Sequence, residues 1–297
     1  MMAKGLKQKN AADLLAGILV LIVALGLVVA VVFAVKQFTA GIAVPTTPSG
    51  TPPITAPPTT VTTPPPGPTL APNPLAPEGF AYDENGYLTC LTAESWLGVD
   101  VSVHQGQIDW KQVAQSQVQF AMIRLAYRGW GSEGLIRADA RGLENLQGAK
   151  EAGLKVGVYF FSQATSAEEA VEEARFLLDM LDGQELDMPI VFDWENVAEE
   201  EARTNNVDRK TLNACAQAFC KEIEAAGYDA MVYFYLSLAQ WKLDLLALQQ
   251  AGYDFWLALY SDKLSFRYQV QMWQYSNAGN VPGINTKVDL NLYFPGD

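Results

Sequence analysis

The segment Glu151–Phe161 reads EAGLKVGVYFF, and its first half is a joint. Ala152-Gly153-Leu154 closes a helical stretch, and Val156–Phe161 follows as an apolar run of strand length. Glycine at such a joint takes the left-handed conformation that ends a helix and turns the chain into the next element. An apolar run without strict alternation marks a strand covered on both faces. The same joint recurs at Ala226-Gly227-Tyr228 and Ala251-Gly252-Tyr253. Outward from it, strand-length runs fall near residues 97–101 (LGVDV), 119–125, 156–161, 189–194, 230–234, 255–259, 270–274 and 288–293. Helical patterns lie between several of them. Ser166 with Glu169 has the spacing of a capping box opening a helix to about Leu181. Asp208 caps a helix ending near Ala226, and Asp109 is an N-cap before Trp110. Eight strands with repeated helix–Gly–strand joints predict an α/β fold, an irregular TIM-like β/α barrel. The intervals after the sixth and seventh strands are too short for full crossover helices, so some helices should be missing.

The 297-residue chain is not uniform. Thirteen of its 16 prolines lie between Pro45 and Pro77, and Leu14–Val35 is an uncharged apolar run of 22 residues. At 1.5 Å per residue such a run spans a hydrocarbon core of about 30 Å. It reads as a transmembrane helix; the alternative, a cleaved signal peptide, has an apolar region of only about 7–15 residues. Lys4, Lys7 and Lys9 precede the run and Lys36 follows it, which keeps residues 1–13 in the cytoplasm and exports the rest. Residues 36–77 read as a disordered Pro/Thr-rich linker with little to bury. Residues 78–96 are a lead-in in which Asp83-Glu84-Asn85-Gly86 suggests a hairpin turn, and 97–297 form the barrel. The overall charge is −13, and because residues 1–77 carry four lysines against Asp13, the remainder carries −16. A domain so acidic is unsuited to nucleic acid or to an anionic membrane surface. Cys90, Cys215 and Cys220 suggest no disulfide framework, and Cys220 shares an apolar helix stripe with Leu212, Ala216, Phe219 and Ile223. One histidine and scattered cysteines make a zinc site improbable, and no metal or cofactor is expected.

Most of the 33 acidic residues fall on solvated helix faces. Four do not. Asp100 ends the first strand, Asp193 and Glu195 end the fourth, and Asp289 lies in the eighth, all within apolar sequence where an unpaired charge is costly. In a β/α barrel the C-terminal strand ends form the active face. Asp193 and Glu195, two apart, point to the same side of their strand. Clustered carboxylates repel, so at least one keeps its proton beside an ionised neighbour, the pairing that glycosidic cleavage requires. The competing reading is that these acids cap helices or pair with arginines.

Four segments resemble the glycoside hydrolase family 25 lysozymes: DVSVHQGQIDW (Asp100–Trp110), GVYFFSQA (Gly157–Ala164), PIVFDWE (Pro189–Glu195) and MWQYSNAGNVPGINTKVDLN (Met272–Asn291). The resemblance spans about Gly98 to Phe294 in family order. It implies an irregular β/α barrel that hydrolyses peptidoglycan glycan strands as a β-1,4-N-acetylmuramidase. Glu195 falls on the general acid, Asp193 on its partner, and Asp100 and Asp289 on the two other active-site acids. Departures from the family pattern, Phe160 in Tyr159-Phe160-Phe161 and Tyr235 after the fifth strand, bear on subsites.

Tyr127, Tyr159, Phe161, Trp273 and Tyr275 lie next to these positions as candidates to stack on sugar rings, with Trp194 and Tyr233 also adjacent; the alternative for each is core packing. His104, in the loop after the first strand, suits loop hydrogen bonding better than catalysis. The expected function is that of an anchored muramidase on the outer face of the membrane, remodelling the cell wall. The alternatives are an endo-N-acetylglucosaminidase and a non-catalytic glycan-binding module.

Overall fold

The computed structural model describes residues 68–296. The apolar run Leu14–Val35, the segment before it and the Pro/Thr-rich tract through residue 67 lie outside them. Among the described residues no helix is long and apolar enough to cross a membrane. The expected linker, drawn to Pro77, ends too late. Leu70 and Leu75 are half-buried against the core, the Ala71 N–H donates to Gln249 Oε1 at 3.0 Å, and Pro72 bridges Tyr268. Two leucines within a proline-rich stretch are enough apolar surface to dock it, and the neighbouring N–H groups find acceptors.

The lead-in forms a hairpin of β1 (Phe80–Tyr82) and β2 (Leu88–Cys90). Its turn follows the expectation: Asp83 Oδ1 accepts the N–H groups of Asn85 and Tyr87, each at 2.9 Å, and Gly86 has φ +80°. The chain continues through β3 (Trp96–Val101), α1 (Trp110–Gln115), β4 (Phe120–Arg128), β5 (Ile136–Ala138), α2 (Gly142–Glu151) and β6 (Lys155–Ser162). Then come α3 (Ala167–Leu181), β7 (Ile190–Trp194), α4 (Arg209–Ala225), β8 (Ala230–Tyr235), α5 (Leu236–Trp241) and α6 (Leu245–Gln250). The last strands are β9 (Asp254–Ala258), β10 (Met272–Gly279) and β11 (Val288–Tyr293).

Eight of these strands close a barrel in the order β3-β4-β6-β7-β8-β9-β10-β11, and they are the eight expected from the apolar runs. Neighbours are parallel from β3 round to β10. β11 runs antiparallel to both β10 and β3. A parallel return needs about a dozen residues of crossover, and the short 280–287 connection leaves only a hairpin-like reversal. No helix follows β9 or β10. The three Ala-Gly joints hold, with φ of +84° at Gly153, +89° at Gly227 and +95° at Gly252.

Asp109, Ser166 and Asp208 all cap as expected, accepting from the N–H of Gln112, Glu169 and Thr211. The box at Ser166 is only half formed. The Glu169 carboxylate accepts from the Thr165 N–H at 2.7 Å and pairs with Arg203 at 2.6 Å, so it does not turn back to Ser166. A reciprocal box forms instead between Ser102 and Gln105.

Strand parity sorts the side chains. Val99, Ile123, Val158, Phe192 and Leu290 face outward into the shell shared with the helices. Phe120, Met122, Val191, Met231, Trp256 and Met272 face inward and plug the barrel. Gly98 makes room for the plug, because a Cβ there would sit 2.3 Å from the Phe120 ring. All three cysteines are free and buried. Cys215 joins Cys220 inside, because α4 buries a broad face including Leu212, Phe219 and Ile223.

Candidate active site

Above the plug, the inward positions turn from apolar to ionisable. Asp100, Asp193, Glu195 and Asp289 line one pocket of about 230 Å³ together with Tyr159 and Phe161. The four acids thus converge as expected. Asp289 reaches this rim because β11 is reversed: it lies opposite Asp100 in the ladder, near the start of its own strand.

The acids have unlike surroundings. Asp100 is buried, and its Oδ2 accepts from Gln274 Nε2 and Asn291 Nδ2, each at 2.8 Å. Both amides are themselves oriented. Tyr233 and Tyr260 hydroxyls donate to Gln274 Oε1 at 3.1 and 3.2 Å, and the Trp256 indole donates to Asn291 Oδ1 at 2.9 Å. With its oxygens committed to Tyr and Trp, each amide can present only N–H to Asp100. Burial pushes the Asp100 carboxyl up to about 6 while the two amides pull it down. Burial, with Asp100 nearby, raises Glu195 to about 7. Burial and then the charges of Asp100 and Glu195 raise Asp289 to about 8. Asp193 is held far above the ordinary range by burial, then by Glu195 and Asp100, against the pull of Arg124. Its buried Oδ1 has no hydrogen-bond partner among the described residues. Unequal solvation and donors separate four chemically similar groups into proton holders and an anion.

The aromatic expectations divide. Tyr159 and Phe161 line the pocket. Tyr127 lines the adjoining groove with Trp130 and Arg137, and this groove shares His104, Arg124 and Phe161 with the pocket. Trp273 and Tyr275 are corrections. Both are buried on the outer side of β10, where the Trp273 indole donates to Leu259 O at 2.8 Å and the Tyr275 hydroxyl accepts from the Leu88 N–H. Since Gln274 between them faces the pocket, alternation sends its neighbours outward. Trp194 is outward for the same reason, its indole donating to Ala164 O. The exposed His104 lines the pocket.

Sequence reasoning missed Arg124, Gln274, Asn291, Trp256 and Tyr260. Arg124 carried a signal, a lone charge inside the apolar strand AMIRLAY; it pairs with Asp139 at 2.8 Å while lining the pocket. Asn291 carried a weaker one, two residues from Asp289 on the same strand face.

The model of Glycosyl hydrolases family 25 matches residues 99–284. The chain belongs to this family. Its barrel is a family 25 glycoside hydrolase domain. The autolytic lysozyme of Clostridium acetobutylicum is 27% identical over 200 residues, covering 67% of this chain and 56% of that one. The Escherichia coli K12 protein YegX is 29% identical over 214 residues, covering 66% and 68%. The modular autolysin LytC of Streptococcus pneumoniae shares the fold, with a TM-score of 0.60 and 24% identity, covering 72% of this chain and 50% of that one. The chain therefore spans about half the length of LytC.

Proposed function

We propose that the barrel hydrolyses peptidoglycan at the β-1,4 bond between N-acetylmuramic acid and N-acetylglucosamine, and that Leu14–Val35 tethers it to the outer face of the cell membrane, where it remodels the cell's own wall. One observation carries this reading: a single open pocket holds a carboxylate kept ionised by two amide donors beside a carboxyl raised to about 7. Glycosidic cleavage needs both, a proton for the departing oxygen and negative charge for the sugar ring as it becomes oxocarbenium-like. Glu195 is the proton donor. Asp193, with its unpartnered Oδ1, accepts the N–H of the substrate's 2-acetamido group and turns that group's oxygen toward the anomeric carbon, or else positions the attacking water. Asp100 and Asp289 hold the sugar and set the proton balance of the pair. Tyr159 and Phe161 offer ring faces to the sugar.

The relatives support the substrate class: one is named an autolytic lysozyme, and LytC is known in complex with a synthetic peptidoglycan ligand. The tether rests on the 22-residue uncharged run and the lysines before it.

The test is digestion of purified peptidoglycan with the full chain in detergent, followed by borohydride reduction. Muramitol is expected. Glucosaminitol would make the enzyme an endo-N-acetylglucosaminidase, and no new reducing ends would make the barrel a glycan-binding module. The tether is tested by carbonate extraction of membranes and protease treatment of intact spheroplasts. The chain should stay with the membrane and its barrel should be digested from outside.

A further inference from the structure

Asp193 and Glu195 are held in different ways. Asp193 lies inside the sheet, paired with Phe161 of β6 on one side and Tyr233 of β8 on the other. Glu195 is the first residue past the end of β7, beyond both ladders, at the start of the irregular 195–208 connection. Its peptide link to Asn196 is nonetheless pinned at both polar ends. Gln163 Nε2 donates to the Glu195 carbonyl at 2.7 Å, and the Asn196 N–H donates to the Tyr235 hydroxyl at 3.3 Å.

Gln163 is itself locked. It is fully buried, and its Nε2 also donates to Ser162 O at 3.0 Å. Its Oε1 accepts from the Thr204 hydroxyl at 3.3 Å, and Thr204 is equally buried. With the oxygen engaged by a hydroxyl, the amide presents only its NH₂ to Glu195. Arg203, next to Thr204, donates to the Gln163 carbonyl at 3.1 Å and pairs with Glu169. The far end of the 195–208 connection thus returns to clamp the residue that clamps its beginning.

We propose that Gln163, oriented by Thr204, is the positioning residue that sets where the Glu195 carboxyl stands in the pocket. The proposal rests on the reading of Glu195 as general acid. A buried donor at the carbonyl of a residue outside the sheet does what the ladder does for Asp193: it removes freedom of the peptide plane from which the side chain departs. Releasing that plane lets the carboxyl move by a fraction of its own length toward water. Misplacement on the order of 1 Å costs about 10²-fold in rate, and rehydration weakens the hold on the proton.

The experiment uses the full chain, with Gln163→Leu and the near-isosteric Thr204→Val, and reads kcat, KM and the alkaline limb of the pH–kcat profile on soluble glycan strands. Gln163→Leu is expected to lower kcat about 10²-fold, to leave KM little changed and to move the alkaline limb to lower pH. Thr204→Val should move both readouts in the same direction by less. If Gln163→Leu does not fold, the Thr204→Val limb decides: a shift to lower pH supports the proposal and an unmoved limb overturns it. A folded Gln163→Leu with parental kcat and limb overturns it, as does loss of kcat tracking loss of thermal stability with the limb unmoved. Glu195→Gln separates the two layers. Activity retained there sinks the acid assignment and this proposal with it, whereas an inactive Glu195→Gln beside an unaffected Gln163→Leu overturns the positioning role alone.

Discussion

Asp100 and Asp289 are direct partners across the antiparallel β3–β11 ladder. Opposed side chains in such a pair stand about 5 Å apart at Cβ, and like charges there repel. The pair is relieved unequally, because Gln274 and Asn291 donate to Asp100, while no side chain among the described residues donates to the Asp289 carboxyl. Asp289 therefore keeps the proton and Asp100 the charge.

Stability should fall with pH in a defined direction. Asp100, Glu195 and Asp289 are raised to about 6, 7 and 8 on folding, and Asp193 is raised well above its ordinary value. The folded chain thus binds more protons than the unfolded one above the ordinary carboxyl pKa of about 4. Their stabilisation is complete below that pH and is lost as pH rises through the folded values. The thermal midpoint should decline from pH 4 toward 9, and Asp289→Asn should flatten the upper part of the decline. A midpoint insensitive to pH in both proteins would refute this.

Activity should be confined to a narrow window in which Asp100 is ionised and Glu195 protonated, between about 6 and 7. Gln274→Met removes one donor from Asp100 at similar volume. The Asp100 carboxyl then rises, so the acidic limb of the pH–rate profile should move to higher pH. The lost partner should also cost about 1–3 kcal/mol of stability. Both are read from initial rates across pH and urea unfolding, and an unmoved acidic limb would count against the role given to Asp100.

Glu195→Gln should lower kcat by about 10²–10⁴-fold with the fold intact. Release of reducing ends, with circular dichroism as the control, measures it. Full activity would remove Glu195 from the acid role.

Behind the site, Arg128 pairs with fully buried Glu173 at 2.7 Å, and Glu173 also accepts from the Ser162 hydroxyl at 2.6 Å. Burial raises Glu173 to about 7 despite these partners. Arg128→Met strands that carboxylate and should destabilise by about 3–5 kcal/mol at alkaline pH. The loss should shrink as pH falls and Glu173 takes up a proton. Urea titrations at pH 5 and 8 distinguish this from a pH-independent packing loss.

Phe161 and Trp273 should respond oppositely to truncation. Phe161→Ala should raise KM for glycan strands, since the ring lines the pocket. Trp273→Ala should cost about 3–5 kcal/mol of stability and leave KM unchanged in the folded fraction, since its ring packs outward against Phe80 at 5.1 Å. A KM effect at Trp273 would return it to the substrate site.

The eight strands were legible because strands covered on both faces are apolar along most of their length, as in the PIVF that leads into Asp193. The joints at Gly153, Gly227 and Gly252 were legible because ending a helix by left-handed backbone favours glycine. Asp193 and Glu195 stood out as charges in apolar surroundings. Gln274 and Asn291 did not, since neutral amides carry no sign of burial until the acid they serve is placed beside them. Strict alternation from Arg124 would send Tyr127 to the other face of β4. A register shift between Arg124 and Ala126 aligns Tyr127 with Phe161 of β6, which brings it beside Arg124 at the groove.

The sequence by itself determined the succession of strands, the helices that are missing after β9 and β10, and which four acids stand in apolar strands, because periodicity, turn chemistry and the cost of burying charge act over a few residues. Only the tertiary structure decided which acid keeps its proton, which aromatics see the pocket, and what holds Glu195. Those depend on groups far apart in the chain, Asp100 with Asn291 at a separation of 191 residues and Gln163 with Glu195 at 32. Donors, charges and water exclusion set a pKa through space, and the closing of the barrel is what creates that space.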